Sequence, residues 1–138
     1  VLPRNARRPV VVDDNSKTLR PWRKAAKAAA EKAWRDEGHP PATGPLQATV
    51  VFVFPTVPSA PDRHWVAGPP DADKLCRALL DGLTDARLWD DDRLVVKLLV
   101  SKRYAEPGEA TGAHVAVDSL ADHERLASER RKTERNRR

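Results

Sequence analysis

The chain is poor in the residues that staple small proteins together. Its 138 residues include one cysteine, Cys76, so an internal disulfide is excluded and a reducing, cytoplasmic setting is expected. The four histidines (His39, His64, His114 and His123) lack metal-site spacing, which argues against zinc. Methionine is absent even from the first position, as expected if the sequence starts downstream of the true N-terminus or has lost its first residue. No apolar run approaches the roughly 20 residues needed to cross a bilayer, and no signal-peptide pattern opens the chain. Repeats and low-complexity tracts are also missing. What remains is the composition of one soluble domain, with 40% hydrophobic and 33% charged residues.

The charge is unevenly placed. The chain carries 25 basic and 20 acidic residues, net +5. Pro69 to Asp92, PPDADKLCRALLDGLTDARLWDDD, holds seven acidic and three basic residues, net −4. The rest therefore sums to 22 basic against 13 acidic, net +9. An aspartate island in a basic chain fits a polyanion-binding surface with a metal at its centre.

Along the chain, residues 1–17 form a basic arm with a short edge strand expected at Val10–Val12. Leu19 to about Glu37 has helical periodicity, with Trp22, Ala25, Ala26, Ala29, Ala33 and Trp34 on one face. Pro21 suits the first turn, and Lys24 and Lys27 lie on a basic face able to track phosphates. Gln47–Phe54, QATVVFVF, is apolar on both faces and marks a central strand. In the loop that follows, which carries Arg63, His64 and Trp65, the last two either touch substrate or present a surface aromatic tucked against the sheet. Asp73–Ala86 is a second helix, buried through Leu75, Leu79, Gly82, Leu83 and Ala86, with Cys76 as a small core residue. Asp73, Arg77 and Asp81 follow at steps of four and are neighbours on another face. Leu94–Lys102 is a second strong strand and Ala113–Val117 a weaker third. From Leu120 a helix ends in a basic tail, either solvated or in non-specific contact with nucleic acid. The order implies an α+β fold, a small, mostly antiparallel or mixed sheet carrying two main helices. We take residues 1–118 as one domain and 119–138 as a basic helical tail.

Magnesium prefers carboxylate oxygens, with water and phosphate in its remaining positions. Asp71 and Asp73, two apart at the end of an X-Pro segment, can face one ion, unless they serve only to cap the helix. Asp92 is 19 positions beyond Asp73, and reaches the first pair only if the next strand runs back beside the helix.

The run PDADKLCRALLDGLTDARLWDDDRLV resembles the signature of the RusA family of Holliday-junction resolvases. The matching positions are Asp71, Asp73, Leu80, Asp81, Leu83, Thr84, Asp91, Asp92, Val95 and Lys102, within roughly residues 69–117. The resemblance implies a RusA-like homodimer that cuts branched DNA, four-way junctions, with Mg²⁺, for which Mn²⁺ can substitute. It further implies Asp71, Asp73 and Asp92 as catalytic metal ligands, Asp91 as a supporting ligand and Asp90 as a bystander. Arg77 falls where the family has a basic residue, often lysine. An arginine cannot be a proton-transfer base near neutral pH, so its expected task is to clamp phosphate or developing charge. Lys24, Lys27, Arg77, Lys102 and Arg103 are the expected DNA contacts. Two departures stand out: the family's opening strand with a basic Pro-x-Pro-Lys-type segment is missing, and Arg87 stands where glycine is common. The rival reading is a non-catalytic module that binds branched DNA.

Overall fold

The computed structural model describes residues 19–138. The basic arm, the strand expected at Val10–Val12 and the side chain of Trp22 lie outside the described residues.

The first helix, α1, spans Leu19–Ala30 and continues through a π-helical turn, Glu31–Arg35. Its buried contacts recur every four residues, at Ala26, Ala30 and Trp34. Alanine at two of these three positions lets the helix approach its neighbours closely. Trp34 closes the row, donating its indole N–H to the carbonyl of Pro40 at 3.0 Å.

β1, Leu46–Phe54, buries Leu46, Ala48, Val50 and Phe52 at the strand period of two. It is central, as expected, with β2 (Val95–Tyr104) on one side and β3 (Gly112–Ser119) on the other. β1 pairs parallel with β2 and antiparallel with β3. The sheet is therefore mixed, with one pair of each kind. The parallel pair follows from the connection, since β1, the helix α2 (Ala72–Asp85) and β2 form a crossover unit. α1 and α2 share one hydrophobic core with the sheet.

The strand that reads as weaker is the better buried. Ala113, Val115 and Val117 of β3 belong to the core. β2, despite its run of apolar residues, is an edge strand exposing Val96, Leu98 and Leu99 at 61%, 44% and 61%.

The crossing of α1 and α2 depends on Gly82. A Cβ there would lie 2.6 Å from the carbonyl oxygen of Arg23 and 2.7 Å from the Cβ of Ala26. Above this contact Arg23 forks onto Asp85 at 2.7 and 3.1 Å. The hydrogen bond between them lowers the pKa of Asp85 and raises that of Arg23.

α2 ends in a hydrogen-bonded reversal. Arg87 N–H donates to the Thr84 carbonyl at 3.0 Å and Leu88 N–H to that of Leu83 at 3.1 Å, a Schellman pattern with Leu88 and Leu83 both buried. This requires a left-handed residue at position 87, and Arg87 adopts φ 59°. The preference for glycine here thus has a backbone cause.

Candidate active site

The acidic stretch wraps α2. Asp71 occupies the N-cap position with extended backbone, yet its side chain makes no capping hydrogen bond. Its carboxylate is exposed, with the Lys74 ammonium 3.6 Å away. Asp73 lies in the first turn, where the helix dipole favours a negative charge. It has no hydrogen-bond or ion-pair partner among the described residues. Together with Arg77 and Leu98 it lines a shallow, mostly apolar depression between α2 and β2.

The other end of the stretch returns along α2 as far as its second turn. A short 3₁₀ turn, Asp92–Leu94, opens β2. Asp91 caps this turn, its Oδ1 accepting the Arg93 N–H at 2.8 Å. Asp91 therefore fixes the backbone that carries Asp92. Asp90 is exposed. Asp92 is ion-paired to the Arg77 guanidinium, which also lies 3.6 Å from Asp81.

Arg77 thus holds carboxylates from two directions. One turn separates it from Asp73 and another from Asp81, as the four-residue spacing predicts. The convergence of Asp90–Asp92 on Asp71 and Asp73, conditional on a returning strand, is not realised in this arrangement. Among the described residues no three carboxylate, histidine or cysteine side chains come close enough to hold a metal ion. The strand does return beside the helix, but Asp92 lies at its start and meets Arg77. The carboxylate donors suit magnesium, and two of them, on Asp71 and Asp73, make no capping hydrogen bond and stay accessible.

The far end of β2 does reach the segment just before Asp71. Lys102 donates its ammonium N–H groups to the carbonyls of Gly68 and Pro70 at 2.7 and 2.8 Å. Its part in the structure is to tie down the segment that delivers Asp71. Arg103 is also committed, holding Glu109 with its fork at 2.5 and 2.7 Å. Hydrogen bonds from Arg103 hold the Glu109 pKa down at about 2. The sequence points both side chains at DNA, yet here each serves a loop. Lys24 and Lys27 are exposed on α1, with Lys27 3.8 Å from Glu31. Cys76 is buried, which pushes its thiol pKa up and suits a core residue.

Trp65 does not tuck against the sheet. Its ring is 61% exposed, edge-on to His64 at 4.3 Å between centroids. The backbone around it bridges β2 at Arg103. One core residue at this site escapes the reasoning from sequence. Trp89 is fully buried and donates its indole N–H to the Thr84 hydroxyl at 2.7 Å. That hydroxyl in turn donates to the Leu80 carbonyl at 3.0 Å. A signal for it exists, since a tryptophan beside an aspartate run needs an apolar reason to be there.

A crossover helix with uncapped acidic residues at its start, set in a chain of net +5, fits the class of domains that handle nucleic acid phosphates. The family comparison makes this specific. Residues 3–117 match the model of the family described as Endodeoxyribonuclease RusA, and the chain belongs to that family. It is accordingly an endodeoxyribonuclease of the Holliday-junction resolvase kind, from a family that acts on branched DNA. Membership places it with the enzymes and not with the binding-only module. No curated protein matches the chain closely. Among the described residues no helix is long and apolar enough to cross a membrane.

Proposed function

We propose that the chain resolves four-way DNA junctions as a homodimer by paired symmetric nicks, using Mg²⁺, with Mn²⁺ able to substitute. A four-way junction has two-fold symmetry, so two nicks call for two sites related by a C2 axis. The observation that carries the reading is Asp71 at an N-cap position without a capping bond, beside a partnerless Asp73. A carboxylate placed at the N-cap only to cap the helix would be hydrogen-bonded to the first-turn N–H groups.

In this reading Asp71, Asp73 and Asp92 would hold the cation, with Asp91 setting the backbone of Asp92. A bound divalent ion shields phosphate charge and lowers the pKa of water. Arg77 binds the scissile phosphate through its guanidinium after leaving Asp92, and as a permanent cation it moves no proton. Lys102 keeps the Gly68–Pro70 segment, and so Asp71, in place. Lys24 and Lys27 offer phosphate contacts on α1. The products carry a 5′-phosphate and a 3′-hydroxyl, which a ligase can rejoin.

The reading is tested with Asp73→Asn, assayed on a labelled four-way junction with and without Mg²⁺. We expect unaltered junction binding and nicking reduced by at least about three orders of magnitude, or roughly 4 kcal/mol of barrier. Full nicking by this variant would sink the assignment.

A further inference from the structure

The helix α3, Ala121–Asn136, follows the residues that match the family and takes no part in the core. None of its 16 residues is buried. Its one exposed large apolar side chain is Leu126. A helix polar on every side gains nothing from packing and must be supported along its own length. The charge order supplies that support. Asp122 and Glu124 stand in the first turn and Arg135 in the last, the order that the helix dipole favours. Arg125 and Glu129 pair at 3.0 Å one turn apart.

The last nine residues, Arg130–Arg138, hold six basic residues and one acidic. Taking these from the totals of 25 and 20 leaves 19 of each sign in residues 1–129. The remainder of the chain is electrically neutral, and the whole net charge of +5 rides on the end of α3. Arg131, Arg135 and Arg138 recur one turn apart and share a shallow recess with Ser128 and Glu134. Packing against a protein partner would require an apolar stripe, and Leu126 alone does not make one.

We propose that α3 is a phosphate-gripping arm that holds a duplex arm of the DNA substrate outside the nuclease site, without reading its sequence. The inference rests on DNA being the substrate. At 1.5 Å per residue the helix is about 24 Å long, enough to follow roughly seven base pairs of backbone. Neutralising phosphates releases condensed cations, so binding through the arm carries a steep salt dependence. A neutral body by itself would supply little long-range attraction.

The test uses the full chain with Arg130→Gln, Arg131→Gln, Lys132→Gln and Arg135→Gln combined, because glutamine keeps helix propensity while removing charge. Anisotropy of a labelled four-way junction without divalent metal gives the affinity between about 50 and 200 mM salt. At about 0.9 for each phosphate no longer neutralised, the slope of log K against log salt should fall in magnitude by about two to four. Circular dichroism matching the wild type shows that the helix persists. Equal slopes for variant and wild type would overturn the arm. So would retained DNA binding alongside a loss of binding to phosphatidylserine vesicles, which would assign the charge to a membrane surface. Nicking of the same junction by the wild type in Mg²⁺ is scored separately. Its absence would count against the proposed catalysis, while a changed salt slope would still support the arm.

Discussion

Arg87 is held at φ 59°, a conformation that crowds the Cβ of any L-residue other than glycine. The reversal after α2 needs this backbone, and both hydrogen bonds of the motif are in place. Arg87→Gly should therefore raise stability by up to about 1 kcal/mol, read as a higher urea midpoint with an unchanged slope. A lower midpoint would mean that the guanidinium makes an interaction worth more than the strain. Arg77 poses the contrasting case, where the side chain and not the backbone is decisive. Its guanidinium holds Asp92 in an ion pair. Thr84 shows a third kind of residue logic. Its hydroxyl accepts from Trp89 and donates to Leu80, so a position that resembles a signature threonine proves to be the link between the helix and the buried tryptophan.

At the scale of elements, the pairing of α1 with α2 sets where the acidic helix lies. Gly82 permits the close approach, and Arg23 locks it through Asp85. An added methyl would meet the backbone of α1, which cannot swing aside as the end of a long side chain can. Gly82→Ala should thus destabilise the fold by about 1–3 kcal/mol despite the better helix propensity of alanine, lowering the melting temperature by several degrees. An unchanged melting point would show that α1 can shift at little cost. β2 shows how an element's apolar run can mislead. Its valines and leucines read as a buried strand, but the strand order leaves them on an edge.

For the whole molecule, that edge bears on assembly. Long, exposed apolar edge strands are rare unless something covers them. Along this edge Leu98 lines the Asp73–Arg77 depression and Val96 shares its face of the strand, while Leu99 is exposed on the other face. A second copy seated there would be consistent with the homodimer proposed for symmetric nicking. Leu99→Lys occurs twice in such a dimer, and the missing burial should weaken association by about 3 kcal/mol or more, near 100-fold in Kd. Light scattering after gel filtration would show twice the 15.4 kDa chain mass for the wild type and a single chain mass for the variant. A monomeric wild type would remove the dimer from the proposal.

The sequence by itself determined the elements, because periodicity and turn residues are local properties. α1, β1, α2 and β2 all lie within a few residues of where hydrophobic spacing puts them. It also singled out Asp71, Asp73, Arg77 and Asp92, through charge contrast and then through resemblance. Strand order was not legible, since a parallel or an antiparallel neighbour can each be written with the same apolar residues. That order leaves both β2 and β3 on edges, and packing alone put β3 in the core while β2 stayed exposed. Nor was the fate of individual charges legible. Whether Arg103 meets DNA or Glu109, and whether Asp92 faces Asp73 or Arg77, depends on what the fold places within reach of each side chain, and only the tertiary structure decided that.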